Sequence, residues 1–547
     1  MADILDRLFH EPSDEEILSN VQANIFEHHK RNHLRCLFFG FNEAKSAEAI
    51  AARLSQFASE GSVIKAEKVR IPKSSQSQAG WISTAGFQVL HTSAFKKELV
   101  QLQKEEVDDC FYSSEEYENL KKQLPCLTTL SLSFEGCQKL AGGLDEDHPL
   151  IPVDDRFKSG MSGVGNRQEW NEPQKRYWES NWRKFSWEAP RIDLLIMIAD
   201  HSERKLEELT DSIKDFFEAA GLATLLFVEK GKMKKHDFGG KLGCRIVEPF
   251  GFRDGLSEIP FWEKYGKRFQ KDTLNSVLDI NLGSYLVYRK LEQDVALFNK
   301  NIDFIVSKLN EKDFQVERAF IEAQLMGRFK DGTPLALAGK PRISQEGHKG
   351  KWKGFDKFWS SEEDDPSREG FLGYAENKCP VFAHARQSNP REVKDMKEPK
   401  GRGRVGPYKG LEGARIRIAR RGIPYQEELK ATYSNGISET RLVEGLQFMS
   451  YQANIGLQVG QIINKWCNAS SFPEVGSGID PIIGRGFPGR DTEYHFHTEW
   501  NSEKRVAIKV NFQDMVKLRG GGFFYTPSIK WIQTLPERVK KYSEWSE

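Results

Sequence analysis

The sequence predicts an α+β sandwich in which helices cover one face of a largely antiparallel sheet. Three observations predict it. Short runs rich in branched and aromatic residues recur along the chain, as strands require. Between them lie segments whose apolar residues fall at three-to-four spacing, as helices require. The order strand, helix, strand appears in both halves, although no sequence repeat relates them.

The first strand is predicted at His33–Asn42 (HLRCLFFGFN), a dense apolar run bounded by polar residues. A helix follows at Ser46–Ser59. Strands are then expected at Trp81–His91, Arg191–Ala199 (RIDLLIMIA) and Thr224–Glu229. The helix between the last two, Glu203–Ala220, carries Leu206, Leu209, Ile213, Phe216 and Phe217 on one stripe. In the second half, strands are expected at Gly283–Leu291, Arg415–Arg420, Leu446–Tyr451 and Gly522–Thr526. Helices are expected at Glu292–Leu309, with Val295, Phe298, Ile302 and Ile305 inward, and at Ile455–Cys467. Glycine and proline cluster near 240–255 and mark a candidate boundary.

At 547 residues the chain is long enough for two to four domains. Its 36 Phe and 12 Trp supply packed cores and exclude global disorder. With 80 Lys+Arg against 79 Asp+Glu, the net charge of +1 argues against a nucleic-acid binder. No apolar run is long enough for a membrane span, and the N-terminus does not read as a secretory signal. The seven cysteines are scattered and form no CxxC pair, so neither a zinc ribbon nor a disulfide framework is signalled. A reduced, cytoplasmic protein is the expectation. Polar stretches at Lys104–Lys122, Lys349–Gly370 and Glu392–Lys409 read as surface insertions. The alternative is a partner or anionic-substrate surface, for which Arg402–Arg404 is the best candidate.

Four segments could carry chemistry. In PFGFRDGLSEIP, Gly251 and Gly255 bracket Asp254. This is either an ordinary turn or a bend that aims an acid into a pocket. In CPVFAHARQSNPR, His384 is either an iron ligand or a hydrogen-bonded structural histidine. In RIRIARRGIPYQ, strand alternation separates Arg415 and Arg417 from Arg420, which falls with Ile416 and Ile418 on the core side and would need a partner. In EYHFHTE, an extended chain would put Glu493, His495, His497 and Glu499 on one face, as a metal site or a solvated strand.

The first three segments fit one family together. The chain resembles the dye-decolorising peroxidases, haem enzymes, in the longer subgroup shared by fungi and bacteria. Its GxxDG motif is matched by Gly251, Asp254 and Gly255, its haem-ligand segment by CPVFAHARQSNPR, and its RRGIPY strand end by Arg420–Tyr425. VQANIFEHHKRNH, GSYLVYRKLEQDV, GLQFMSYQANIG, DPIIG and GGGFFYTPS extend the likeness from about residue 20 to 530, in the family's order.

The resemblance implies two ferredoxin-like α+β domains, residues 1–248 and a haem-binding 249–547 carrying the charged insertions, related to the dimeric α+β barrels. It implies haem b, with His384 as proximal ligand of the iron, Asp254 as distal acid and base, and Arg420 as distal cation. Leu446 and Phe448 match apolar residues lining the distal side. Arg391, with Arg386 nearby, matches an arginine near a haem propionate. Asp480 matches a carboxylate orienting the ligand histidine. Trp466 falls where relatives carry a tryptophan used in surface oxidation, or it is a packed helix aromatic. The partners implied are hydrogen peroxide and an organic donor such as a phenol or dye, oxidised through ferryl intermediates; assembly with further copies is left open.

The residue types suit that chemistry. Cleaving peroxide requires a proton to move from one oxygen to the other, and a carboxylate with an ordinary pKa near ~3.9 can do this in mild acid. Arginine is a permanent cation for developing negative charge. The chain departs from the family at Gln426, where glycine is common, and in its insertions, which puts substrate preference in question. Two rival readings remain: a haem-binding or haem-processing protein without turnover, and an interaction protein whose charged insertions dock to a partner.

Overall fold

The computed structural model describes residues 21–26, 31–59, 126–143, 148–152, 154–161, 163, 170, 178–186, 188, 190–239, 243–254, 283–336, 338–341, 378–389, 416–432, 438–472, 475–486 and 490–543. The expected strand at Trp81–His91, the stretches Lys104–Lys122, Lys349–Gly370 and Glu392–Lys409, and the residues Gly255, Arg391 and Arg415 lie outside them.

In the first half, β1 (His33–Phe41), α1 (Ala47–Ala58), β2 (Leu127–Leu132), β3 (Leu194–Asp200), α2 (Glu203–Glu218) and β4 (Ala223–Lys232) follow one another. They pair in the order β4-β1-β3-β2, all antiparallel. A small hairpin, β5 (Lys234–Asp237) and β6 (Cys244–Val247), leads out. The second half contains β7 (Ser284–Gln293), α3 (Val295–Asn310), α4 (Arg318–Met326), α5 (His384–Ser388), β8 (Ala419–Arg420), β9 (Ile423–Thr432) and β10 (Ser438–Gln452). A π-helix (Gly456–Cys467), the hairpin β11 (Thr492–His497) and β12 (Arg505–Val510), β13 (Val516–Thr526), α6 (Ile529–Gln533) and α7 (Leu535–Ser543) complete it.

Here the order is β13-β7-β10-β8, with β9 also on β10. The two halves thus repeat one strand order, an α+β fold of the ferredoxin-like type. Their edges join where Tyr525 of β13 faces Leu132 of β2. At the other end of the sheet β4 approaches β9, so closely that a Cβ on Gly231 would lie 2.4 Å from Ile423 Cγ2. The sheet curls into a nearly closed barrel.

Strand alternation explains what fills it. Phe38 of β1 meets Trp182 (4.8 Å between ring centroids), Tyr288 (5.5 Å) and Phe524 (6.1 Å), so aromatic rings from both halves share the interior. The outward residues of β1 pack under the helices instead, as Phe39 does against Phe217 of α2. Both faces of β1 are therefore covered, which is why it reads as an unbroken apolar run rather than an alternating one. Ser46, Ser202 and Asp294 cap α1, α2 and α3 by accepting a backbone N–H from the first turn. Gln22 closes one end of the barrel, donating to Leu130 and Pro527 carbonyls and accepting from the Leu130 amide.

Three expectations are corrected. Ile455–Cys467 is helical, but it is wound as a π-helix from Gly456 to Cys467. Of Arg415–Arg420, only Ala419–Arg420 is strand among the described residues. Leu446–Tyr451 is the C-terminal part of a strand of 15 residues, which begins at Ser438 because its first half pairs with β9.

Candidate functional site

β8 and β9 run along β10 in one continuous register, Ser450 facing Arg420 and Gln447 facing Ile423. Residues directly opposite in such a pair project to the same face. Arg420, Ser450, Phe448 and Leu446 therefore share the outer face of the sheet. On β7, Phe448 is opposite Arg289 and Leu446 is opposite Leu291, which extends that face towards Gln293.

Gln293 carries the next link. Its side-chain amide donates to Glu248 at 2.6 Å. Glu248 also accepts the amides of Phe250 (3.0 Å) and Phe252 (2.9 Å), folding the chain into a tight turn. Gly251 sits at its corner with φ of 93°, a left-handed conformation that favours glycine. Phe250 stacks on Phe298 of α3 (4.5 Å), and the Asp254 amide donates to Ile246. The half-buried Asp254 is thus fixed on a braced turn that is tied to the end of β7 through Glu248 and Gln293. Burial pushes the Glu248 carboxyl up to about 6, and the nearby Asp254 charge adds to the rise. Glu248 and Gln293 were not among the expected site residues. The one sequence signal is position, since Glu248 immediately precedes PFGFRDG.

His384 opens α5, with its Nδ1 2.8 Å from Asp480 Oδ2. Asp480 is 1 % exposed, and its Oδ1 accepts the amides of Ile482 (2.8 Å) and Ile483 (2.9 Å). An ionised carboxylate only accepts, so Nδ1 is assigned the proton and Nε2 the lone pair. Arg386, two residues on, is buried and donates to the Cys379 carbonyl at 2.6 Å.

Three readings fail against this geometry. Arg420 is exposed rather than turned to the core. Ile416 and Ile418 precede the strand, so alternation cannot be carried through them, and the buried arginine is Arg421. Arg421 donates to the carbonyls of Asn24 (2.7 Å) and Ile25 (2.9 Å). Trp466 is 3 % exposed and stacks on Phe472 (5.3 Å), because the π-helix turns it inward; it is not a surface side chain. EYHFHTE does not form a metal face. His495 and Glu493 are exposed, while His497 ends the strand buried, with Nδ1 towards the Ser502 carbonyl. Burial lowers the His497 pKa to about 4. Among the described residues, the acidic side chains that converge are Glu179, Glu229 and Glu427, and Lys290 occupies their centre.

No family model matches the chain. It is 26% identical over 412 residues to the multifunctional dye peroxidase DyP2 of Amycolatopsis sp., covering 70% of this chain and 78% of that protein. It is 29% identical over 258 residues to the dye-decolorizing peroxidase AauDyP1 of Auricularia auricula-judae, which covers 46% of each. Among solved structures, the DyP-type peroxidase of Anabaena sp. superposes with a TM-score of 0.67 at 22% identity, over 97% of this chain and 99% of that one. DyP2 superposes at 0.65, also at 22% identity, over 96% and 98%. No helix among the described residues is long and apolar enough to cross a membrane. Sequence and fold together make this chain a homologue of the dye-decolorising peroxidases.

Proposed function

We propose that the chain is a haem b peroxidase that reduces hydrogen peroxide and oxidises organic donors such as phenols and dyes. The observation that carries this reading is the His384–Asp480 pair. A histidine that commits Nδ1–H to a buried carboxylate offers Nε2 as an electron-rich metal ligand, and this donor chemistry fits a haem iron. When bound, haem supplies an iron that takes oxidising equivalents from peroxide and passes them on one electron at a time.

The remaining work falls to the chain. Asp480, itself held by two backbone amides, fixes the tautomer and orientation of His384. Asp254 takes the proton from the inner peroxide oxygen and returns it to the outer one, so that water can leave. Arg420 attracts the hydroperoxide anion and steadies charge as the O–O bond lengthens. Its exposure to solvent within the sheet face suits a group that meets a small polar substrate. Leu446 and Phe448 exclude water beside it. Arg386 and Arg391 serve the propionates, and Gly251 and Gly255 allow the Asp254 turn its close approach. The two domains divide at residues 248 and 249, at the carboxylate that braces that turn.

The test is direct. Purified chain loaded with haem should show a Soret band and oxidise a chromogenic phenol only when peroxide is present. His384→Ala should lose or weaken the haem spectrum. A loaded wild-type protein with no peroxide-dependent oxidation would end the peroxidase reading.

A further inference from the structure

The turn that carries Asp254 is held from three directions. Glu248 accepts the Phe250 and Phe252 amides, and the Ile246 carbonyl accepts the Asp254 amide. The third tie comes from the segment that follows α4, where the Lys330 carbonyl accepts the Arg253 amide at 2.9 Å. The Lys330 side chain then lies across the corner of the turn. Its Cδ and Cε would stand 3.7 Å from a Cβ on Gly251, and Nζ is 6.0 Å from the centre of the Phe252 ring. The ammonium ends on Glu322 Oε1 at 3.0 Å. Glu322 is a buried residue of α4, and Arg318 donates to the same oxygen.

That segment begins against the helix of His384. Gly327 ends α4 with φ of 89°, and a Cβ there would lie 3.0 Å from the Ala385 Cβ and 3.5 Å from that of Ala383, the two chain neighbours of His384. Two residues on, Phe329 is buried with Ala383 and Cys379. A tight bend closes behind it: the Phe329 amide donates to the Thr333 carbonyl, the Leu335 amide donates to the Gly327 carbonyl, and Asp331 accepts the amide and hydroxyl of Thr333. Gly327 and Lys330 are three positions apart, so a short, fully bonded stretch joins the His384 helix to the neighbour of Asp254.

We propose that Lys330 is a positioning residue for Asp254: its side chain, anchored on Glu322, clamps the turn against a short spacer built on the His384 helix and so fixes how far the carboxylate stands from the imidazole. The inference rests on the reading of Asp254 as proton shuttle and His384 as iron ligand. A proton passed between two bonded oxygens needs a carrier within hydrogen-bond reach of both, and a displacement of about 1 Å can cost on the order of 10²-fold in rate. Glu248 shapes the turn from within, whereas Lys330 refers it to the element that bears the other partner.

The test compares Lys330→Ala, which removes the clamp, with Lys330→Arg, which keeps a stem and a cation. Glu322 retains Arg318 in the alanine variant, so no buried carboxylate is left without a cation. In haem-free full-length protein, hydrogen exchange of the peptide spanning 249–254, read by mass spectrometry, should quicken several-fold in Lys330→Ala and stay at the wild-type rate in Lys330→Arg. A peptide from β7 should not change in either. In haem-loaded protein, the reaction with peroxide should slow on the order of 10-fold in Lys330→Ala and recover in Lys330→Arg. Adding Lys330→Ala to Asp254→Asn should cause no further loss, since the two act through one carboxylate. Exchange unmoved by the alanine variant, a β7 peptide that quickens equally, or an equal rate loss in the wild-type and Asp254→Asn backgrounds overturns the proposal. If Asp254→Asn keeps the wild-type rate, the shuttle reading fails, while the haem-free comparison still decides whether Lys330 holds the turn.

Discussion

Lys290 Nζ lies 2.8 Å from Glu229 Oε2, which ties the central strand of the second half to the edge strand of the first. Glu179 (2.7 Å) and Glu427 (2.9 Å) complete the ring around the ammonium, and the Trp182 indole N–H donates to Glu229. Glu427 lies on β9 and Glu229 on β4, the two strands that approach where the barrel closes. Lys290→Met would strand three carboxylates in that interior without their cation. We expect it to cost about 3–5 kcal/mol, read from urea unfolding midpoints. A loss below about 1 kcal/mol would remove Lys290 as the tie across the barrel.

The same cluster predicts a pH dependence. Burial raises the Glu179 carboxyl to about 8 from its ordinary 4.5, against the attraction of Lys290 and with the repulsion of Glu229 and Glu427. The folded chain therefore holds a proton there that the unfolded chain releases. That contribution is fully present below about pH 4.5 and is lost as pH rises towards 8. Glu248 and Asp193, each raised to about 6, act in the same direction over a narrower window. Stability measured against pH should fall less steeply above about pH 6 in Glu179→Gln than in wild type; parallel curves would show that Glu179 does not hold this proton.

Arg420 and Arg421 are neighbours with opposite environments, so their substitutions should separate activity from stability. Arg420→Leu should slow the reaction with peroxide on the order of 10²-fold and leave unfolding nearly unchanged. Arg421→Leu should cost about 3 kcal/mol, because it strands the Asn24 and Ile25 carbonyls. Stopped-flow kinetics and thermal unfolding on both variants check the split. Equal effects of the two on stability would contradict it.

Asp254→Asn keeps the shape of the turn, since Glu248 and the Asp254 backbone amide hold it, but removes the proton shuttle. Peroxide-dependent turnover should drop on the order of 10²–10⁴-fold with haem binding retained. An unchanged rate at every pH would exclude Asp254 from proton transfer.

Asp480→Asn preserves an oxygen for the Ile482 and Ile483 amides while weakening the acceptor for His384. The iron midpoint potential should rise relative to wild type, and the fold should lose about 1–2 kcal/mol. A potential that stays at the wild-type value would show that the carboxylate does not act on the iron through His384.

How far the sequence could be read depended on what each feature is made of. β1, β3, α2 and α3 were legible because each buries its own stripe or run, and that periodicity is local. The segments around Asp254, His384 and Arg420 were legible as motifs, and the His384–Asp480 contact followed from their likeness to a known family. β2, β9 and β12 went unread. β9 mixes charged and apolar residues because one of its faces lines a polar cluster, a pattern that only Lys290 on a distant strand explains.

By itself, then, the sequence determined the α+β class and the local elements with one-sided burial, and its likeness to a known family supplied the expected haem-site residues. The tertiary structure alone decided which arginine is buried, that Trp466 faces inward, and that Glu248 and Gln293 brace the turn carrying Asp254. Those outcomes depend on register and on contacts between residues up to hundreds of positions apart. Whether a side chain meets solvent, a carboxylate or a ring is a property of the packed sheet, and no local pattern carries it.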